Sequence, residues 1–287
     1  MYFCDISNRK NNTWCKYVLR LDTYGCGCQH DCKYCYAKSL LDFRGLWNSS
    51  SPKISNLIDI KLKLSTLKKS SIVKLGGMTD CFMPLELKHR VTFETIKMLN
   101  YYKIHYLIVT KSSIVSNDEY LNIYDKNLAH FQISITSTSK EISLKYENAS
   151  LPNERIKSIE KLYSLGFDTC VRLSPFVDEH IDVDTINNIK CNKILIEFLK
   201  VNHWVKKWFD IDYSKYTLNI AGYLNLELKD KINIIKKINN FEQISIGEYV
   251  KEHHDYFSRN INYNINDCCN LNYKFRNVVN YKQLSLF

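Results

Sequence analysis

Proline and glycine are scarce in this chain, with four and eight among 287 residues. No Pro/Gly/Ser-rich linker, internal repeat or low-complexity tract divides it, apart from Asn-rich patches such as residues 260–266. Flexibly tethered modules are therefore not expected. No stretch approaches the eighteen or so apolar residues of a membrane span, so no membrane partner is expected. Residues 1–16 include Asp5, Arg9 and Lys10 and contain no apolar signal-peptide core. The expectation is a cytoplasmic protein with reduced thiols. The cysteine count, eleven, is odd and argues against a complete set of disulfides.

A hydrophobic content of 45% supplies a sizeable core, enough for one large α/β domain or two small ones. The formal net charge is +10. A basic face that meets nucleic-acid phosphates is one reading. A solvated lysine surface in a Lys-, Asn-, Ile- and Tyr-rich chain is the other, and charge alone does not choose between them.

Short apolar runs alternate with helical patterns. Strands are expected at Lys16–Leu21, Ser71–Leu75, Ile104–Val109, Phe131–Thr136, Thr169–Leu173, Lys193–Phe198 and Ile244–Ile246. Helices are expected at Cys35–Leu46, Leu85–Tyr102, Asn117–Asp125, Asn153–Leu165 and Lys229–Ile238. Alternation of this kind predicts parallel β–α units and about six of them, an open or closed barrel whose chemistry lies at the C-terminal strand ends.

Three cysteines fall within eight residues in the run Gly27-Cys28-Gln29-His30-Asp31-Cys32-Lys33-Tyr34-Cys35-Tyr36-Ala37. Three thiolates at C-x3-C-x2-C spacing can hold three irons of a [4Fe–4S] cube and leave the fourth free for a small molecule. Zinc is the alternative, with Cys26 as fourth ligand. Structural zinc sites generally use two separated pairs, however, and here all four thiols crowd one loop.

This run resembles the radical S-adenosylmethionine (SAM) superfamily, and within it the spore photoproduct lyase or DNA repair photolyase-like branch, whose G-C-x-H-x-C-x-Y-C-Y-A pattern Gly27–Ala37 matches. Cys26 lies outside that pattern. The resemblance implies a partial (β/α)6 barrel, a [4Fe–4S] cluster on Cys28, Cys32 and Cys35, and SAM cleaved to methionine and a 5′-deoxyadenosyl radical, with a reductant such as flavodoxin or ferredoxin. The likeness runs from about Tyr17 to Val177. The expected division is 1–200 for the barrel, 201–282 for a C-terminal extension completing its side, and 283–287 for a tail.

The same resemblance places SAM against Gly76, Gly77 and Thr79 after the second strand, Lys111 after the third, Ser134 on the fourth, and Tyr34 beside the adenine. A plain tight turn at the glycines and a backbone-bonded strand serine are the structural alternatives. The segment Tyr146–Ile156 resembles a family stretch with Glu147 and Arg155, although Asn148 stands where the family has proline. Arg172 either binds an anion or forms a structural ion pair. Cys81 and Tyr36 are candidate hydrogen-atom donors, and a buried thiol is the competing reading of Cys81. Cys268 and Cys269 read as vicinal or packed thiols, Cys4, Cys15, Cys170 and Cys191 as core or surface thiols, and His253-His254 as polar surface.

The chain ends Gln283-Leu284-Ser285-Leu286-Phe287, which resembles the pentapeptide that binds the bacterial sliding clamp. Together these readings predict a radical SAM enzyme acting on DNA, with lesion repair of the spore-photoproduct type first. Radical modification of a base or nucleotide comes second, and a clamp-associated zinc-loop DNA-binding module third.

Overall fold

The computed structural model describes residues 2–5, 17, 19–265, 267 and 269–271. One eight-stranded sheet organises them. Its strands are β1 (Tyr2–Asp5), β2 (Leu19–Asp22), β3 (Ile72–Leu75), β4 (His105–Thr110), β5 (Ala129–Ser134), β6 (Asp168–Phe176), β7 (Lys193–Phe198) and β8 (Gln243–Ile246). Spatial order follows chain order. β1 pairs antiparallel with β2, and the seven strands β2–β8 are parallel. The edge strands do not pair with each other, so the sheet is an open α/β barrel. β8 extends the sheet beyond residue 200 by pairing with β7.

Parallel pairing needs long crossovers, and helices fill them. Val91–Tyr102 buries Val91, Thr95, Ile96 and Leu99 along one face. Pro152–Ser164 starts with proline at its first turn, and Glu154 accepts the Leu151 N–H at 2.7 Å. The expected helix Leu85–Tyr102 breaks at Arg90, whose φ of +51° splits it into Leu85–His89 and Val91–Tyr102. The expected helix Asn117–Asp125 shrinks to Asp118–Leu121, preceded by a 3-10 turn at Ser113–Ser116. Among the described residues, five helices are unmarked by the sequence reading: Leu57–Ser65, Lys140–Tyr146, Val183–Asn187, His203–Trp208 and Lys251–Asn260.

The two faces of the sheet differ chemically. Leu21, Leu75, Ile108, Phe131, Ile133, Val171 and Ile194 share one face and belong to the main core. Each fully buried side chain of this size contributes about 1.5–3 kcal/mol. Register puts Arg20, Lys74, His130 and Asp168 on the other face, followed one rung up by Gln132 and Cys170 and two rungs up by Ser134 and Arg172. That polar face is the barrel interior. Part of it is closed by Cys269 and Leu271, which pack with Tyr17, Ile72 and Leu107, and the Gln132 amide donates to the Cys269 carbonyl at 3.0 Å.

Among the described residues no helix is long and apolar enough to cross a membrane. Cys15, Cys268, the side chain of Cys4 and the tail Gln283–Phe287 lie outside the described residues. Cys170 and Cys191 are buried. His253 corrects the surface reading: it is buried with its Nδ1 3.0 Å from the Lys231 ammonium, because helix Lys251–Asn260 turns that side inward.

Candidate active site

The three-cysteine loop runs from the short strand Tyr24–Gly25, just after β2, into helix Tyr36–Leu41. Its path is set by backbone bonds: Asp31 N–H to Cys28 carbonyl at 3.1 Å and Cys35 N–H to Cys32 carbonyl at 3.2 Å. Gly27 is sterically required, since a Cβ there would lie 1.9 Å from the Asn48 carbonyl oxygen. The Cys35 sulfur accepts the Lys38 N–H at 3.4 Å and so caps the helix. Asp31 gathers Lys33, Lys38 and Ser49 at 2.8–3.0 Å.

Cys28 and Cys32 are each 8% exposed, and Cys35 is half-buried. Burial pushes all three thiols upward, Cys32 to about 12, while the Lys111 charge opposes the rise at Cys32 and Cys35. Among the described residues no three His, Cys, Asp or Glu side chains converge as a single metal ion demands. A tetrahedral zinc needs thiolates converging at about 2.3 Å on one point. An iron–sulfur cube takes one thiolate per iron, so its ligands stand apart. The donor set fits a cluster.

Two carboxylates hold the rim loop that follows β3. Asp22 accepts the N–H groups of Gly77, Met78 and Thr79 at 3.0, 2.9 and 3.3 Å. Asp80 accepts from the Thr110 hydroxyl and the Lys111 N–H, both at 2.7 Å, and from the Phe82 N–H at 2.9 Å. Its carboxylate lies 3.2 Å from His30 of the cysteine loop. Burial alone would raise the Asp80 carboxyl, but His30 and these hydrogen bonds hold it at about 2. Asp80 therefore ties the cysteine loop, the glycine loop and the Lys111 strand end together.

Gly76 has φ +82°, and a Cβ there would sit 2.2 Å from the Val109 carbonyl oxygen. At Gly77 the nearest atom to a Cβ is Cδ of the flexible Arg20 chain, at 3.0 Å. Gly76→Ala is expected to destabilise the protein by about 2–4 kcal/mol through strain and backbone overlap, and Gly77→Ala by less than about 1 kcal/mol. Denaturant midpoints compared at constant m-value measure both. The Gly77 carbonyl accepts from the Tyr36 hydroxyl, and the Thr79 hydroxyl is engaged by the Tyr24 carbonyl.

A second polar centre stands behind Cys32. The cysteine loop pairs with Tyr146–Asn148 through Lys33 N–H to Tyr146 carbonyl at 2.9 Å and Asn148 N–H to His30 carbonyl at 2.7 Å. Proline at 148 would lack that donor. Glu147, buried, receives Tyr34, Arg155, the Thr136 hydroxyl at 3.0 Å and the Ser143 hydroxyl at 3.0 Å. Burial would raise its carboxyl, but Arg155 and Lys111 hold it below the usual carboxylate range. Arg155, wholly buried, also donates to the Ser134 carbonyl at 3.1 Å and the Ser150 carbonyl at 2.6 Å.

The site residues expected from sequence fall into two groups. Tyr34 is buried, its ring edge-on to Phe209 at 5.3 Å and 5.6 Å from the Lys111 ammonium. Through Asp80, Glu147 and Arg155, it joins Cys28, Cys32, Cys35, Gly76, Gly77, Thr79, Lys111 and Ser134 in one region at the C-terminal strand ends. Cys81 is 1% exposed, and burial, with Asp80 and Glu86 nearby, pushes its thiol well up. Arg172 is the structural pair of the two readings: it binds Glu197 and the Gln132 side chain, the latter at 2.5 Å. Sequence reasoning assigned no role to Asp22 or Asp80. Their signal was position alone, at or just past a strand end.

Known proteins share this fold. The model of the Radical SAM superfamily matches residues 23–191, more than half of the chain. An uncharacterized protein of Methanocaldococcus jannaschii is 29% identical over 223 residues, spanning 74% of this chain and 83% of its own. A spore photoproduct lyase variant solved with AdoMet and a dinucleoside spore photoproduct superposes with TM-score 0.61 at 13% identity, over 84% of this chain and 79% of that one. SuiB of Streptococcus suis, bound to precursor peptide SuiA, gives TM-score 0.52 at 13% identity, over 85% of this chain and 47% of that one. The superfamily uses a [4Fe–4S] cluster and SAM, and it is to this radical SAM superfamily that the chain belongs.

Proposed function

We propose that Cys28, Cys32 and Cys35 each ligate one iron of the [4Fe–4S] cluster, that SAM takes the remaining iron, and that the enzyme acts on DNA in lesion repair of the spore-photoproduct type. When bound and reduced, the cluster supplies the electron that cleaves SAM to methionine and a 5′-deoxyadenosyl radical. The observation that carries the reading is the joining of the cysteine loop, the glycine loop and Lys111 by Asp80.

Within this reading each residue has a task. Gly76 and Gly77 let backbone carbonyls approach the SAM ammonium. Lys111 offers a compact cation to the SAM carboxylate. Tyr34 lines the adenine side, with its hydroxyl fixed on Glu147. Thr79 sets the loop, and Ser134 faces the ribose. Tyr36 is the favoured hydrogen-atom relay, because its half-exposed ring ends on the Gly77 carbonyl, whereas Cys81 is enclosed. DNA is supported by three independent features: the +10 charge, the clamp-like tail and the fold likeness to a protein solved with a dinucleoside photoproduct.

Anaerobically reconstituted protein with SAM and reductant is expected to release 5′-deoxyadenosine and to restore thymines in irradiated spore-type DNA. Deoxyadenosine release with no change in irradiated DNA would overturn lesion repair and leave the radical chemistry standing. Removing Gln283–Phe287 is expected to eliminate binding to a bacterial sliding clamp, from about micromolar, roughly −8 kcal/mol, to undetectable by surface plasmon resonance. Retained binding would refute that role of the tail.

A further inference from the structure

A row of large side chains leaves the active-site mouth and crosses the surface. Tyr36, Leu40 and Phe43 are spaced i, i+4, i+7 directly after the last cysteine of the triad, and they are 52%, 38% and 56% exposed. Such spacing puts them on one side of the helix and its 3-10 extension. The row begins at the glycine loop, where the Tyr36 hydroxyl meets the Gly77 carbonyl.

A second helix, His203–Trp208, docks beside it, fixed by the Asn202 amide on the Ser39 hydroxyl at 2.9 Å. Its aromatic rings, Trp204 and Trp208, are half-buried and continue the row. Phe43 and Trp204 lie 6.4 Å apart with planes 9° from parallel, and Trp204 and Trp208 lie 5.8 Å apart at 29°. Cations flank the rings. The Arg44 guanidinium is 5.0 Å from Phe43, the Lys207 ammonium 6.0 Å from Trp204 and the Lys38 ammonium 5.1 Å from Trp208. Lys206 is exposed on the same helix. Lys38 is already neutralised by Asp31, Lys206 lies 5.8 Å from the Tyr213 ring, and Asp42 and Asp210 are the exposed acids close in sequence; Arg44, Lys206 and Lys207 are the exposed cations that can meet an anion.

Near-parallel rings flanked by cations match one ligand chemistry: flat π-faced groups carried on an anionic backbone. Bases in a duplex hide their faces in the stack, so the ligand must be unpaired. We infer that this surface is a track for a single polynucleotide strand, with bases stacking on Phe43 and Trp204 and phosphates meeting Arg44, Lys206 and Lys207. The strand would thus be led to the mouth at Tyr36. The inference rests on the nucleic-acid reading above and adds that the substrate is presented unpaired.

Fluorescence anisotropy with the reconstituted full chain tests it. The probes are a labelled 12-nucleotide single DNA strand, the same sequence as a duplex, its RNA counterpart and a polyglutamate peptide. The single strand is expected to bind, with the duplex weaker, and Trp204→Ala to weaken strand binding by about 5- to 100-fold. Trp204→Phe keeps a ring and is expected to stay within about threefold, which separates loss of stacking from loss of fold. Lys206→Gln with Lys207→Gln should make the salt dependence shallower by up to about two phosphate contacts. RNA binding at equal strength supports a single-strand track that does not read the sugar. Strand binding unchanged by Trp204→Ala overturns the track and leaves the nucleic-acid reading intact. Polyglutamate bound as tightly as the strand also overturns it. Failure of the wild-type chain to bind any of the three nucleic acids at low salt overturns both.

Discussion

Cys32→Ala is expected to abolish 5′-deoxyadenosine release from SAM, to below detection, while Cys26→Ala leaves it within about twofold, because Cys26 lies outside the proposed ligand set. The difference follows from coordination. Under the proposed ligation each thiolate of the triad serves one iron, so losing one strips an iron of its protein ligand and exposes the cube to dissolution. Cys26 has its own task in the backbone: its carbonyl accepts the Asn48 N–H at 2.8 Å, and its φ is +54°. A side-chain change there keeps that bond. Iron content and deoxyadenosine yield, measured on the two variants side by side, read the outcome. Equal loss in both would place Cys26 among the metal ligands.

The largest stability effect is expected at Arg155→Met. Arg155 is fully buried and pairs with Glu147, itself enclosed by Tyr34, Thr136 and Ser143. Removing the guanidinium leaves a carboxylate with hydrogen bonds but without its paired counter-charge, with Lys111 the cation that remains. Breaking one side of a buried pair costs about 3–5 kcal/mol. In a chain of this length that lowers Tm by roughly 10 °C. Adding Glu147→Gln should recover more than half of the loss, since the stranded charge is then gone. Thermal denaturation of the two variants and wild type closes the comparison. Arg155→Met within about 1 kcal/mol of wild type would show that the pair does not hold the site together.

The parallel α/β plan was legible because each strand from Ile72 to Ile246 is a compact β-branched or aromatic run followed by a helical stretch. Boundaries shifted where backbone geometry overrode periodicity. Arg90 turns left-handed in the middle of a continuous helical pattern, and nothing in its residue type announces that. Helix Leu57–Ser65 has few buried residues, Ile60 and Leu64, so its apolar stripe is faint in the sequence.

The site was legible where chemistry demands rare spacing, as in Cys28, Cys32 and Cys35. It was less legible where support comes from distant carboxylates. Asp22 binds a loop 55 residues away, and Asp80 binds His30 and Lys111. No local pattern encodes such contacts, since they depend on which strand ends become neighbours. The choice at Arg172 likewise required Glu197, 25 residues later on the next strand, to be placed beside it. The departure at Asn148, a loose match in sequence, puts an N–H on the His30 carbonyl.

The most direct test is metal analysis with electron paramagnetic resonance on anaerobically purified, reduced wild-type protein before and after SAM is added. The account predicts about four irons per chain and a cluster signal that changes on adding SAM, as a free iron vertex requires. Colourless protein containing one zinc per chain, or a cluster signal indifferent to SAM, would contradict it.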